Sequence, residues 1–387
     1  MKFLHTSDLH IGKKLQGFSL ADDQRHILNE IVKIAKAESV DGILVAGDIY
    51  DSSTPTEESF RIYDEFLTEA SDVCDVYIIA GNHDSEGRLG VGGSVMDKAG
   101  VHVTKPYHGI AEKVSLRDGY GDLDVFLMPY VSKTAASTYY ADKGIKIDTP
   151  DAAVKTTLDH SGIDPKKRNI LVAHQHFAAV GMDLEQSGSE TDRLDIGNTK
   201  TISAELLKDF DYCALGHIHK PQSAGVKNAV YCGTPMKYDY SERNDKKHVN
   251  IVEVKEKGNV EVKEVPLVPL REMVCLQGTY DEIYASLPEV PKNSMVYVTL
   301  TDRHDGDRDS ITKKITSCGS VLFDLDYELN ESEEFDMDAP DIKELGLRKD
   351  IDLFMDFFKS RLNKEMTPEQ VQIMADLFDR AAQGDEL

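Results

Sequence analysis

Val76-Tyr77-Ile78-Ile79-Ala80-Gly81-Asn82-His83-Asp84 is the stretch whose reading decides the fold. A short β-branched and aromatic run that stops at a glycine is a buried strand ending in a tight loop. The two side chains after the turn are an amide whose oxygen binds cations and an imidazole that binds a metal or carries a proton. The design recurs elsewhere. Phe3-Leu4-His5-Thr6-Ser7 runs into Asp8-Leu9-His10, Ile43-Leu44-Val45-Ala46 into Gly47-Asp48, Ile170-Leu171-Val172-Ala173 into His174, and Tyr212-Cys213-Ala214-Leu215 into Gly216-His217-Ile218-His219. Five apolar strands thus each deliver carboxylate, amide or imidazole at the C-terminal end, where open α/β sheets place ligands. One such motif is noise; five in one chain indicate a metal centre.

A chain of 387 residues exceeds what one hydrophobic core usually serves, so a large catalytic domain with smaller appendages is expected. With 40% apolar and 29% charged residues the composition is that of a soluble globular protein. No apolar run approaches the ~20 residues that span a bilayer, and the N-terminus reads as a strand rather than a signal peptide. The cysteines at 74, 213, 232, 275 and 318 are scattered, without a CxxC pair. Free thiols in a reducing cytoplasm, with no membrane contact, are the expectation. The net charge of −25 argues against a surface that wraps DNA unaided. It divides as −10 over residues 1–250 and −15 over the shorter remainder, so acidity is denser toward the C-terminus.

Periodicity predicts a helix bearing Ile27, Leu28, Ile31, Val32 and Ala35 on one face. Thr54-Pro55-Thr56-Glu57 predicts an N-cap at Thr54 with proline at the first helical position, opening a helix that carries Phe60, Tyr63 and Leu67. Residues 85–100 read as a glycine-rich loop with Arg88 close behind the histidine, and 181–198 as a polar loop, functional or mobile. The βαβ units come first and antiparallel-looking strands later, which favours two stacked sheets flanked by helices. A boundary near Pro266–Pro269 precedes a βαβαβ-type module with strands at 273–276, 295–300 and 321–325. The acidic stretch 324–341 reads as a solvated linker. Two amphipathic helices close the chain, the second opened by the capping box Thr367-Pro368-Glu369-Gln370, and together they fit a partner's groove.

Asp8-x-His10 and His217-x-His219 share i, i+2 spacing, so in extended backbone both members of each pair face the same way. A carboxylate with two oxygens bridges adjacent ions, and Asp48 is the natural candidate. Carboxylate, amide and imidazole without thiolate suit manganese or a similar borderline-hard ion. Two such ions clamp a phosphate for in-line attack, and His83 is left to protonate or polarise the leaving oxygen. His5, His102, His108, His160 and His176 are taken as structural or exposed.

The order DxH, GD, GNH, H, GHxH resembles the calcineurin-like metallophosphoesterases, and within them the SbcD family, the nuclease subunits of bacterial SbcCD complexes. The likeness rests on Thr6-Ser7-Asp8-Leu9-His10-Ile11-Gly12, Ala46-Gly47-Asp48-Ile49-Tyr50-Asp51, Gly81-Asn82-His83-Asp84-Ser85, Ala173-His174, Gly216-His217-Ile218-His219-Lys220-Pro221 and Tyr231-Cys232-Gly233-Thr234-Pro235-Met236-Lys237-Tyr238. It extends over nearly the whole chain. It implies an α/β (α+β) two-sheet sandwich flanked by helices, with a nuclease domain at 1–268, a small α/β capping domain at 269–338 and a C-terminal helical region at 339–387. It implies that Asp8, His10, Asp48 and His219 hold one ion, that Asp48, Asn82, His174 and His217 hold the other, and that His83 is the catalytic histidine. Arg88 is carried as a substrate-binding residue. The cofactors implied are two divalent ions, Mn2+ in the first place. The partners implied are DNA, an SbcC-type ATPase that binds ATP and the terminal helices, and a second nuclease subunit in a homodimer. Exonuclease and endonuclease activity in DNA recombination, replication and repair would follow. Where archaeal and eukaryotic members carry a histidine this chain has Asp51, as bacterial members do, so no phosphate role is carried to that position. A protein phosphatase expects an arginine shortly after the Gly-Asp motif, and Ile49-Tyr50-Asp51-Ser52-Ser53 has none. The rivals are a small-molecule phosphodiesterase or phosphatase of the same fold and a metal-stabilised scaffold subunit.

Overall fold

Strict alternation along uninterrupted apolar strands makes each strand serve two cores at once. The computed structural model describes residues 1–15, 17–189, 201–302, 306–328, 351, 354–355, 358–359 and 365–383. Strands Lys2–Thr6, Gly42–Val45, Asp75–Ile78 and Val101–Val103 run parallel. His248–Val254 pairs antiparallel with the first of them, and Val260–Pro266 pairs antiparallel with His248–Val254 at the edge, completing a six-stranded sheet. A second six-stranded sheet is built around Gly121–Met128, Arg168–His174 and Tyr212–Gly216, also parallel. Phe3, Leu44, Tyr77, Val125, Val172 and Ala214 fill the space between the sheets. The alternate residues Leu4, Ile43, Val45 and Val76 pack outward under helices Ala21–Glu38 and Glu57–Ser71. On the other side Phe126, Leu171, Cys213 and Leu215 pack with Ala136, Tyr140, Val154 and Leu158 of helices Lys133–Ala141 and Pro150–Asp159. Helix, sheet, sheet and helix layers result, which is the predicted sandwich.

Each of the five motif strands therefore lies at or near the middle of a sheet, and its C-terminal end opens on the same side. The parallel registers bring Gly216 opposite His174 and Thr6 opposite Val45. Strands Met273–Gly278, Met295–Leu300 and Val321–Tyr327 form a separate parallel sheet, as the βαβαβ reading expects. Its two helices, Tyr280–Ser286 and Asp307–Ser317, close a small core with Val296, Val298 and Leu300. Its opposite face meets the sandwich, where Tyr297 stacks on Tyr240 at 3.8 Å between ring centroids. By compactness the chain divides into Met1–Leu329 and Asn330–Leu387, so sandwich and small sheet fall in one unit.

Two local expectations are corrected. The helix after the second strand is capped by Thr56, which accepts from Ser59 N–H, and not by Thr54; Pro55 lies before the cap. The helix buries Ile62, Tyr63 and Phe66 and leaves Phe60 42% exposed. Residues 85–100 hold two short helices, Glu86–Leu89 and Gly93–Met96, and a 3-10 turn rather than open loop. In the second unit, helix Pro368–Gln383 opens with the predicted box: Gln370 N–H donates to Thr367 Oγ1, and Thr367 N–H to Gln370 Oε1. Phe354 packs edge-on against Phe378. The linker beyond Glu328 and most of the first terminal helix lie outside the described residues. Among the described residues no helix is long and apolar enough to cross a membrane, and all five cysteines are free thiols.

Candidate metal centre

The loops after three of the five strands bend through backbone conformations that ordinary residues avoid. Asp8, His10, Asp48 and His217 all have positive φ, at 52°, 43°, 48° and 95°. Strain of this kind persists only where surrounding structure over-determines it, and it gathers at functional sites. Here it is fixed by backbone bonds between loops: Asp8 N–H donates to Gly47 O, and His10 N–H to Asp48 O. Asp84 carboxylate accepts from Ile49, Tyr50 and Gly81 N–H, lashing the GD loop to the GNH loop.

All seven predicted ligands are brought together. His10 Nε2 and His219 Nε2 converge to 3.1 Å. His174 Nε2 and His217 Nδ1 both reach Asn82 Oδ1 at 3.0 Å. Asp48 Oδ2 lies between the clusters, 3.4 Å from His174 Nε2 and 3.7 Å from His10 Nε2. Asp8, His10 and His219 form one compact group of donor atoms, and Asp8, Asp48 and His174 another. His83 stands at the rim, its Nε2 4.0 Å from Asp48 Oδ2 and its N–H donating to Asp48 Oδ1.

The calcineurin-like phosphoesterase family model matches residues 1–221, which contain every one of these side chains. The chain belongs to that family. It is 31% identical over 311 residues to the SbcD component of nuclease SbcCD from Staphylococcus saprophyticus, across 79% of this chain and 78% of that protein. It is 29% identical over 307 residues to the SbcD component of nuclease SbcCD from Staphylococcus epidermidis, across 78% and 79%. The SbcD likeness read from the motifs therefore stands, and this phosphoesterase is a metal-dependent phosphodiester hydrolase.

The donor set of the phosphoesterase fits divalent cations. Asp8 and Asp48 are buried side by side, and among the described residues neither pairs with lysine or arginine; imidazoles face them instead. Burial raises the Asp8 carboxyl. Burial opposes ionisation of Asp48 too, but His174, His10 and His83 overcome it and hold that carboxyl well below the usual range. Burial would likewise depress His174, yet Asp48 raises it to about 9. A proton on imidazole thus answers a demand for positive charge that a bound cation answers better. His219 is pushed well below its ordinary range by burial and by His10, which leaves it neutral, as a ligand must be. His174 has its tautomer set by Nδ1–H donating to Ala46 O at 2.8 Å, which leaves Nε2 to face the cluster.

Glycine is required where the loops touch the ligands. A Cβ on Gly81 would sit 2.1 Å from Asp48 Oδ1, and one on Gly47 2.4 Å from His174 Nδ1. Arg88 is not drawn into the cluster; its guanidinium donates to Ser53 O at the surface. Asp51 lies behind His10, 3.5 Å from Nδ1, and accepts from Lys13 at 3.1 Å. Burial alone would push the Asp51 carboxyl up, but His10 and Lys13 bring it down to about 2. Its carbonyl accepts from His83 Nδ1 at 3.0 Å. Sequence reasoning missed Ser189 and Glu242, which stand behind His219, and His176, whose ring lies 6.2 Å from that of His217. A serine, a glutamate and a lone histidine outside any motif carry no signal of their own in a single sequence.

Proposed function

We propose that this chain is a manganese-dependent DNA nuclease of the SbcD kind. The observation that carries the reading is the convergence of seven donors from five strand ends on one buried, strained, cation-deficient site with a histidine at its rim. Asp8, His10, Asp48 and His219 would hold one ion, and Asp48, Asn82, His174 and His217 the other. Bound there, the ions supply Lewis-acid polarisation of a phosphodiester and activation of water. The chain's own residues do the rest. Asp48 sets Oδ2 between the two groups of donors, near both His174 Nε2 and His10 Nε2, while its Oδ1 is tied to the backbone of His83. With Nδ1–H held by the Asp51 carbonyl, His83 turns Nε2 toward the cluster, where in its imidazolium form it would give the Nε2 proton to the leaving oxygen and be left as the neutral Nδ1–H ring. Arg88, which stays outside the cluster on the Ser53 carbonyl, is proposed as a substrate contact.

The division of labour follows the domains: nuclease at 1–268, DNA-recognising cap at 269–338, and a partner-binding region at 339–387. The name of the Staphylococcus relatives makes them subunits of a larger nuclease, which supports an SbcC-type ATPase as partner. Such a partner supplies the basic DNA path that a chain of net charge −25 lacks. Pairing of two nuclease subunits, a cytoplasmic location and work in DNA recombination, replication and repair belong to the same reading. The test is cleavage of a DNA hairpin with and without Mn2+, run beside release of nitrophenol from bis-p-nitrophenyl phosphate. Manganese-dependent cutting of both is expected. Turnover of the small ester with no attack on DNA would favour the small-molecule enzyme, and neither activity would favour a scaffold.

A further inference from the structure

Behind His219 lies a buried polar chain that no ligand assignment uses. Ser189 Oγ stands 2.6 Å from His219 Nδ1, is hydrogen-bonded to Glu242 Oε1, and lies 2.7 Å from Ser187 Oγ. Glu242 is fully buried. Its second oxygen pairs with Lys247 Nζ at 2.7 Å and accepts from Thr234 Oγ1 at 3.1 Å. Lys247, itself buried, also donates to the His219 carbonyl at 3.1 Å.

Proton bookkeeping gives this chain a direction. A carboxylate accepts and cannot donate, so the single Ser189 hydrogen goes to Glu242. The serine oxygen is then only an acceptor toward His219, whose Nδ1 must carry the proton. That leaves His219 Nε2 with its lone pair aimed at His10 Nε2, where one proposed ion belongs. We propose that Ser189 and Glu242 are positioning residues that fix the Nδ1–H tautomer and ring plane of His219, making it a permanent ligand of one of the two ions. The inference rests on the metal-centre reading above and adds to it the part of the chain from 187 to 189. That segment is pinned to the site here and by Gly188 N–H donating to Ser241 Oγ. His174 achieves the same with a carbonyl, so the two sides of the centre are oriented by different groups.

Outer partners of this kind typically change metal affinity ~10–100-fold. The full chain with Ser189→Ala should bind one Mn2+ more weakly by a factor in that range in calorimetry, with the other site unchanged and the metal-free chain still folded by circular dichroism. Ser189→Thr, which keeps a hydroxyl, should restore affinity. In a His219→Ala background Ser189→Ala should have no further effect. A second readout needs no metal: nitrogen-15 NMR of the apo chain should show His219 as the Nδ1–H tautomer, and as a mixture in Ser189→Ala. Unchanged affinity together with an unchanged tautomer in Ser189→Ala overturns the proposal. Wild-type chain that binds no Mn2+ overturns the metal-centre reading instead, and the tautomer measurement still decides the relay. Glu242→Gln is the companion variant, since it keeps the shape and loses the obligate acceptor. A wild-type tautomer in that variant would remove Glu242 from the chain of bonds.

Discussion

Replacing Gly81 by alanine puts one methyl group into the metal centre at its tightest point. The new carbon would lie 2.1 Å from Asp48 Oδ1 and 2.3 Å from Asp48 N, where ordinary contact begins at 3.4 Å. Side-chain rotation cannot relieve a clash with a backbone nitrogen, so one of the two loops must retreat by roughly 1 Å, against a core packed to crystal density. Overpacking of this order costs about 1–3 kcal/mol of stability. The catalytic loss should be larger, because a displacement of about 1 Å at the reacting groups costs on the order of 100-fold in rate. Bis-p-nitrophenyl phosphate turnover with Mn2+, calorimetric Mn2+ titration and thermal melting measure the three effects. Gly87→Ala is the control: nothing lies within 4 Å of its added carbon, and loss of unfolded-state freedom should leave it neutral or stabilised by about 0.4–1 kcal/mol. Gly81→Ala with wild-type Mn2+ affinity and activity within about threefold would refute the reasoning.

Other outcomes follow from the same geometry. His83→Gln should retain both ions yet lose at least about 100-fold in hydrolysis, since general acid catalysis acts on the transition state; normal rate at normal Mn2+ stoichiometry would remove that role. Asp118 is held well below its ordinary 3.8 by Arg168, which also ties Gly121 and Lys255, and by the N-terminal amine. Below that value the unfolded chain binds the extra proton, so this contribution is complete above about pH 4 and lost as pH falls further. The melting advantage of wild type over Asp118→Asn should shrink in that range. His5 is lowered to about 3 by burial, so between pH 6.5 and 3 the unfolded chain again takes up the proton and stability falls with acid; His5→Asn should flatten that slope. Ending the chain after Pro340 should leave metal binding and small-ester hydrolysis intact and abolish co-purification with the ATPase. Loss of metal on truncation would show that the terminal helices support the catalytic domain.

The sandwich was legible because its central strands are buried on both faces. Such strands read as unbroken apolar runs such as Ile43–Ala46 and Ile170–Ala173, and whatever polar residue follows them stands out. The convergence of the seven candidate ligands was legible for the same reason, each lying within four residues of a run's end. The Thr56 cap was missed because Thr54 offers a second threonine two residues earlier, followed by a proline that suits a first helical position, whereas Thr56 is the one whose hydroxyl accepts from Ser59 N–H. Ser189 and Glu242 were invisible because 53 residues separate them. Their polarity, which reads as solvated loop, is satisfied by His219, Lys247 and Thr234, which only the fold brings near. Asp84, to which the motif reading gave no role, proves to be the tie between the loops that carry Asp48 and Asn82.

The central claim is a two-ion site bridged by Asp48, and Mn2+ stoichiometry of wild type against Asp48→Ala tests it most directly. Calorimetry on the full chain, with folding checked by circular dichroism, should find two ions bound by wild type and neither held tightly by the variant, because the missing carboxylate belongs to both. One ion in wild type, or two retained by folded Asp48→Ala, would contradict the account.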